Sequence, residues 1–208
     1  MVTIENLSHL HLDVLKEIGN IGAGHAATAL SQLMAERIEM TVPNVSILSL
    51  NKVSDFLGGP EKIVVGIYMK VFGDAPGKIM FLFNYDDAQA LVHAVTSKTL
   101  SGVMDGEVDK EELEQSVLQE ISNIMTGAYL NAISRLTGLN MISSVPAYAC
   151  DMAGAIINSA LLDFGMVGDY AMLIDTQFKM TEEKMDGHFF LIPDPGSLQV
   201  ILEAMGVG

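Results

Sequence analysis

In this 208-residue chain, the segment after Leu113 repeats the segment after Leu10 without a gap, at an offset of 103 positions. Four positions keep the same spacing in both copies: Asp13, Glu17, Asn20 and Pro43 lie opposite Ser116, Glu120, Asn123 and Pro146. Small residues between them also correspond, such as Gly24 with Gly127. Duplication of one structural unit is the economical explanation for this register. The two repeats cover about residues 8–100 and 110–206, and we expect them to form a single domain.

Each copy has the sequence pattern of a mixed α and β unit. A long helix comes first and is followed by strands and a short closing helix, so we predict an α+β fold. The predicted strands are residues 37–50, 62–71 and 78–84 in the first copy and 140–149, 170–180 and 187–192 in the second. The closing helices open near Asp86 and Asp194, whose carboxylates suit an N-cap. Because the two halves need each other to cover their strands, we expect a pseudo-twofold body with long helices packed on antiparallel sheet.

Charge and cysteine content narrow the classes of partner. The formal net charge of -15 would repel nucleic acid phosphates and anionic membrane surfaces, so we expect protein partners and neither nucleic acid binding nor membrane insertion. The single cysteine, Cys150, excludes an internal disulfide and a zinc site built from several thiolates. Apolar runs such as residues 63–67 are too short to span a bilayer, and the first residues show no export signal. The sequence therefore predicts a cytoplasmic protein.

The polar residues of the repeat form the candidate site. On a helix, offsets of four and three residues bring side chains onto one face. The first predicted helix therefore has a polar face formed by Asp13, Glu17 and Asn20, and the second has one formed by Ser116, Glu120 and Asn123. For a single Glu or Asn, a solvated helix face is the ordinary explanation. The repeat argues for function, because Lys16 has become Gln119 and His25 has become Ala128 while Glu and Asn are unchanged.

A carboxylate and a carboxamide one turn apart suit phosphoryl transfer. A carboxamide can donate to and accept from a water molecule and so fix its line of attack without changing protonation state. Positioning and electrostatics supply most of the catalysis in such reactions. Two groups can therefore suffice if the substrate is an aspartyl-phosphate on another protein, which brings its own metal and its own phosphate-binding lysine. The Glu would then anchor to that lysine.

The residues carry a resemblance to a known family. The patterns D-x3-E-x2-N-x22-P from Asp13 and S-x3-E-x2-N-x22-P from Ser116 resemble the signature of the CheC/CheX/FliY phosphatase family. The segments LKEIGNIGAGHAATALS and QEISNIMTGAYLNAIS are similar to those of its two-motif CheC type, and the likeness extends over nearly the whole chain. The resemblance implies a CheC-like fold and dephosphorylation of phosphorylated CheY, a chemotaxis response regulator, by insertion of the motif helix into its active site.

The resemblance also implies a role for each motif residue. Asn20 and Asn123 would orient the hydrolytic water, and Glu17 and Glu120 would engage the regulator's lysine. The supporting motif residues would be Asp13, Ser116, Pro43 and Pro146. The Mg²⁺ would belong to CheY, so we expect neither a metal site nor a cofactor in this chain.

The resemblance further implies docking to CheD, the receptor glutamine deamidase. The docking segment would be residues 151–162, which have helical spacing, and the expected contacts are Asp151, Met152 and Ile156. A helix cap is the alternative role for Asp151. The duplication supplies internally the symmetry of a dimer, so we expect a monomer. The alternative functions are a non-catalytic adaptor that binds CheD or associates with the flagellar switch and, less favoured because small-molecule sites are concave, a small-molecule hydrolase.

Overall fold

The helices and strands follow the order expected for two repeats. The computed structural model describes residues 7–34, 37–49, 52–99, 109–163, 170–179 and 184–208. Within these residues the helices are α1 (His9–Met34), α2 (Val53–Phe56), α3 (Tyr85–Thr99), α4 (Lys110–Thr137), α5 (Ala153–Asp163) and α6 (Ser197–Ala204). The strands are β1 (Glu39–Ser49), β2 (Ile63–Gly73), β3 (Gly77–Asn84), β4 (Met141–Ser143), β5 (Ala147–Met152), β6 (Tyr170–Lys179) and β7 (Lys184–Pro193).

The described strands form one antiparallel sheet whose order is itself symmetric. Along the sheet the strands run β1-β6-β7-β3-β2-β4, and β5 also pairs with β2. The pseudo-twofold axis lies between β7 and β3, so that β6 corresponds to β2, and β1 corresponds to the strand that is split into β4 and β5. The predicted α+β, pseudo-twofold fold with long helices on an antiparallel sheet is confirmed.

Helices cover both faces of the sheet unequally. The larger core lies on the face covered by α1, α3, α4 and α6, and its sheet residues include Ile67, Phe81 and Phe189. The opposite face carries a smaller core, where α2 and α5 cover residues such as Val64 and Phe190. The alternation of inward and outward side chains along each strand produces these two layers. The motif helices α1 and α4 therefore lie side by side on one face of the sheet.

Close packing holds α1 against α4. The ring of Tyr129 on α4 is buried and stacks on Phe189 with ring centroids 4.4 Å apart. A Cβ atom placed at Gly22 of α1 would come within 3.0 Å of the same ring. The lack of a side chain at Gly22 thus allows the two helices to approach at Tyr129.

The residues at the two ends of α4 explain where the helix begins and ends. The Asp109 side chain accepts a hydrogen bond from the Glu111 backbone N–H at 2.9 Å, which caps the first turn. The helix ends at Gly138, whose φ of 76° lies in the left-handed region. These two caps fix the limits of the helix that carries the second motif.

Several local predictions were wrong in detail. The strand expected at residues 140–149 is two strands, β4 and β5, and β5 continues through Asp151 and Met152. Asp194 does not cap α6, because its carboxylate pairs with Lys78 Nζ at 2.6 Å and Gly196 occupies the N-cap. Helix α3 starts at Tyr85, so Asp86 lies in its first turn. In the described part of the chain, none of the helices has the length and apolarity needed to cross a membrane.

Candidate active site

The second motif lies on the exposed face of α4. Its residues Ser116, Glu120 and Asn123 are all exposed to solvent, whereas Leu118 and Ile121 on the opposite side are buried in the larger core. The Asn123 carboxamide forms no hydrogen bond with any residue that the structure describes. The carboxylate and the carboxamide of this site are therefore both available to a partner.

The first motif lies on α1, and its Asn has a different environment. Asp13 and Glu17 are exposed, as predicted for a polar helix face, and Leu15 and Ile18 are buried beneath them. Asn20, however, is half-buried. Glu17 and Asn20 therefore differ in their access to solvent although they belong to one motif.

Both ends of the Asn20 carboxamide are hydrogen bonded within the chain. Its Nδ2 donates to the backbone carbonyl of Lys16 at 3.1 Å, and its Oδ1 accepts from the backbone N–H of Val42 at 3.1 Å. The second bond ties β1 to α1. Asn20 thus satisfies a strand N–H in this structure, and one donor and one acceptor of its carboxamide are occupied within the chain.

In the second repeat a different residue ties the strand to the helix. Gln119 Nε2 donates to the backbone carbonyl of Pro146 at 3.0 Å. Gln119 is the counterpart of Lys16 in the repeat, and it bonds a carbonyl of the adjacent strand segment, whereas Asn20 bonds a strand N–H. The second copy therefore fastens its strand through Gln119 and leaves Asn123 free, whereas the first copy uses Asn20 itself. This asymmetry adds to the exchange of Asp13 for Ser116 that the sequence displays.

The two motif prolines mark interruptions in the strand beside each helix. Pro43 lies in β1 at the register shift between Thr41 and Asn44. Pro146 lies between the end of β4 and the start of β5. Proline has no backbone N–H and cannot donate to a strand ladder, so it suits both interruptions. Pro43 directly follows Val42, whose N–H is bonded by Asn20. Pro146 itself carries the carbonyl that is bonded by Gln119.

The residues predicted to contact CheD lie at the junction of β5 and α5. Asp151 and Met152 are the last two residues of β5 and are exposed, and the Asp151 carboxylate accepts from the Met152 backbone N–H at 2.7 Å. Ile156 lies on α5 and is buried against Gly66, where an added Cβ would approach its Cγ2 to 2.9 Å. Of these three residues, Asp151 and Met152 are therefore the ones that a partner can reach.

A cleft lies beside this junction. It has a volume of about 370 Å³ and is bordered by β2, β5 and α5, with Tyr68, Ala149 and Ser159 among its lining residues. Ala149 and Asp151 point to the same side of β5, because they are two positions apart on the strand. The exposed carboxylate thus lies at the border of a partly apolar depression.

Cys150 and Tyr148 are neighbouring groups of β5 with shifted pKa values. Cys150 is exposed, but desolvation by its neighbours, followed by the negative charge of Glu114, raises the pKa of its thiol, which disfavours the nucleophilic thiolate. Desolvation, followed by Cys150, likewise raises the pKa of Tyr148. Among the described residues, no group of three or more His, Cys, Asp or Glu side chains is arranged to hold a metal ion.

Comparisons with known proteins agree with the motif. The sequence model of the CheC-like family matches residues 10–47 and 113–148, which contain one complete motif each. The chain is 32% identical to the CheY-P phosphatase CheC of Bacillus subtilis over 208 residues, which is 99% of both chains. The chain belongs to the CheC-like family. The recognition made from the motif is therefore confirmed.

Solved structures share the CheC-like fold. Thermotoga maritima FliY superposes with a TM-score of 0.75 at 20% identity, covering 96% of this chain and 98% of that one. A chain of the CheX–CheY–BeF3–Mg²⁺ complex of Borrelia burgdorferi superposes with a TM-score of 0.50 at 16% identity, covering 83% and 96%. These likenesses extend the CheC-like fold over almost the whole chain.

Proposed function

We propose that this chain is a protein phosphatase that hydrolyses the acyl-phosphate of phosphorylated CheY. The observation that carries the proposal is the Glu/Asn motif, kept at identical spacing on two helices of one chain. The name of its full-length Bacillus subtilis relative, CheY-P phosphatase CheC, supports the same substrate and reaction. The Borrelia burgdorferi structure supports the partner, since it is a complex of CheX with CheY, BeF3 and Mg²⁺.

In the proposed reaction, the Asn side chains orient the attacking water. Asn20 or Asn123 holds the water in line with the phosphorus atom, and attack breaks the bond from phosphorus to the aspartyl oxygen. The products are inorganic phosphate and the free aspartate of the regulator. Glu17 or Glu120 pairs with a lysine of the regulator, and the regulator contributes the Mg²⁺. No cofactor of this chain is needed in the proposal.

The openness of the motif face favours a protein substrate. Glu120 and Asn123 lie on an exposed helix surface, whereas sites for small molecules are usually concave and bury most of their ligand. A protein substrate can supply the missing walls of the site from its own surface. The proposal accordingly places this chain in the cytoplasm with CheY, acting as a monomer whose two repeats each present one site.

The decay of phosphorylated CheY tests the proposed function. With Mg²⁺ present, the intact protein is expected to accelerate decay, and the Asn20→Ala/Asn123→Ala variant to lose this effect about 10²-fold or more, as expected when water-positioning groups are removed. Circular dichroism of the variant checks that it is folded. If the intact protein leaves the decay of CheY-P unchanged, the phosphatase proposal is wrong and a CheD-binding adaptor becomes the better candidate.

We also propose that CheD docks at the junction of β5 and α5. The exposed Asp151 and Met152 and the adjoining cleft support this position, because they offer a carboxylate, an adaptable apolar side chain and a concave surface within one area. The rest of the proposed docking segment is α5, which is anchored to the sheet through Ile156 and Ile157. The docking area is thus supported by a fixed helix.

Reversing the charge at Asp151 tests this docking area. Asp151→Lys is expected to weaken CheD binding at least about tenfold. The interfacial carboxylate would be replaced by an ammonium group that either meets a positive charge of CheD or has no partner. Binding would be measured by isothermal titration calorimetry. Glu203→Lys, which reverses an exposed carboxylate on α6, serves as the control and should bind CheD normally. Equal affinities for all three proteins would remove Asp151 from the interface.

A further inference from the structure

Gly24 and Gly127 occupy equivalent positions beside the two Glu/Asn pairs. Each is four residues after the motif Asn, at Asn20 or Asn123, and therefore lies one turn further along the same helix face. Both glycines are in the interiors of long helices, α1 and α4. Glycine is unfavourable in a helix interior because it exposes the backbone and loses the most conformational freedom on folding. Their presence at both equivalent positions needs a physical reason.

The fold itself does not require these two glycines. A Cβ atom built at Gly24 or Gly127 meets no atom of the described residues within 4 Å, apart from its own helix. Other glycines of the same helix behave differently. At Gly22 the added atom would lie 3.0 Å from the Tyr129 ring, and at Gly19 it would lie 3.4 Å from Val42 and Ile174. Packing within the chain explains Gly22 and surrounds Gly19 at ordinary contact distance, but it does not explain Gly24 and Gly127.

We propose that Gly24 and Gly127 keep the helix surface bare so that phosphorylated CheY packs directly on the helix backbone beside each Glu/Asn pair. This inference rests on the proposed phosphatase function and adds two residues to the docking surface. Asn carries its carboxamide on a single methylene, so the helix itself has to come close to the acyl-phosphate for the carboxamide to reach the water. A side chain one turn away would hold the two backbones apart.

The regulator fits this surface better than a second copy of the chain does. The exposed charged residues that precede the glycines along the motif faces are acidic, namely Asp13 and Glu17 on α1 and Glu120 on α4, whereas the exposed residues next to the glycines are His25, Thr28 and Asn131. Two copies would bring like charges together at these faces in a protein whose net charge is already -15. A regulator that presents a lysine beside its phosphorylated aspartate has the complementary charge.

The test is the double variant Gly24→Ala/Gly127→Ala. Because alanine favours the helix, the melting temperature should rise by about 2–4 °C per site. At the same time the affinity for CheY loaded with Mg²⁺ and BeF3, a mimic of the phosphoryl group, should fall about tenfold, and the phosphatase rate at low CheY-P concentration should fall equally. A protein that becomes more stable and less active cannot have lost its activity through misfolding.

Three control variants separate docking from chemistry and from helix stability. Asn123→Ala should lower turnover while leaving the affinity for CheY–BeF3–Mg²⁺ nearly unchanged. Gly22→Ala should lower the melting temperature, because the added methyl meets the Tyr129 ring. His93→Ala, at an exposed position of α3, should leave both binding and turnover at their original values.

Each outcome decides between specific alternatives. If the double glycine variant binds and hydrolyses like the intact protein, or if its melting temperature falls, the docking role is wrong. If light scattering shows that the double variant differs in molecular mass from the intact protein, the bare helix face mediates contacts between copies of the chain. This result would also overturn the proposal. If the intact protein itself neither binds CheY–BeF3–Mg²⁺ nor accelerates decay of CheY-P, the phosphatase function fails first, and this inference fails with it.

Discussion

Replacing Asn123 by alanine is expected to remove most of the phosphatase rate, whereas replacing Asn20 mainly destabilises the protein. The Asn20 carboxamide is held by two hydrogen bonds, to Lys16 and Val42, and we expect it to lose both when it turns outward to hold a water. At about 1 kcal/mol for each bond, the first site would work about thirtyfold more slowly than the second. Asn123→Ala should therefore leave about one thirtieth of the rate of CheY-P decay.

The same hydrogen bonds predict the opposite order for stability. Asn20→Ala would leave the Val42 backbone N–H without its partner and should lower the free energy of unfolding by about 1–3 kcal/mol. Asn123 is exposed, so Asn123→Ala should change stability by less than about 0.5 kcal/mol. Urea unfolding and the CheY-P decay assay, applied to both variants, measure the two effects. Equal losses of rate in the two single variants would show that the sites work equally.

Lys16→Gln provides the matched control for the difference between the sites. A glutamine at position 16 has an amide oxygen, which lysine lacks, and this oxygen is expected to accept the hydrogen bond from the Val42 N–H in place of Asn20. In a protein that already carries Asn123→Ala, Lys16→Gln should restore part of the lost rate. Conversely, Gln119→Leu in a protein with Asn20→Ala removes the amide that bonds Pro146 and should reduce the rate. If the rate is unaltered in both proteins, the residues at positions 16 and 119 do not control whether the motif Asn is available.

Truncating Tyr129 to alanine is expected to be the most destabilising single change considered. Its ring is buried between α1 and the sheet, stacks on Phe189 and packs against Gly22. Loss of a buried aromatic ring costs about 3–5 kcal/mol, which corresponds to a fall in melting temperature of about 10 °C or more for a chain of this size. Thermal unfolding followed by circular dichroism would measure this shift.

The effect of Tyr129 should extend to both motif helices. Tyr129→Ala removes the contact at which α1 and α4 meet, so the phosphatase rate near the new melting temperature should fall in both sites together. Leu136→Ala, at an exposed position of the same helix, is the control and should stay within about 0.5 kcal/mol of the original stability. A Tyr129→Ala variant that unfolds at the original temperature would contradict this account of the helix crossing.

The sequence repeat predicted the architecture because equivalent positions of the two copies occupy equivalent places in the packed fold. The strands predicted at residues 78–84 and 187–192 lie in β3 and β7, which are neighbours at the centre of the sheet. The inward positions Leu118 and Ile121 and the outward positions Glu120 and Asn123 followed from helix periodicity alone. Periodicity and repetition are local or pairwise properties of the chain, so a single sequence displays them.

Features that depend on the approach of distant segments could not be predicted in this way. The bond from Val42 to Asn20 exists only once β1 lies beside α1. Asp194 has the residue type of an N-cap, but folding brings Lys78 to it and the ion pair prevails. Asp151 lies within a strand that extends further than the apolar pattern indicated, because the pairing of β5 with β2 continues to Ile63. In each case a tertiary contact outweighed a local preference.

The interleaved strand order has a consequence for how the chain reaches this fold. β1 of the first repeat pairs with β6 of the second, so that Glu39 lies opposite Lys179, and β5 of the second repeat pairs with β2 of the first. Contacts of such long sequence separation are slow to form because the loop entropy is lost before the pairing is gained. During synthesis, β1 therefore stays an unpaired edge until β6 has emerged from the ribosome. Neither repeat expressed alone should form a stable sheet, whereas mixing the two separately made halves should allow them to fold on each other.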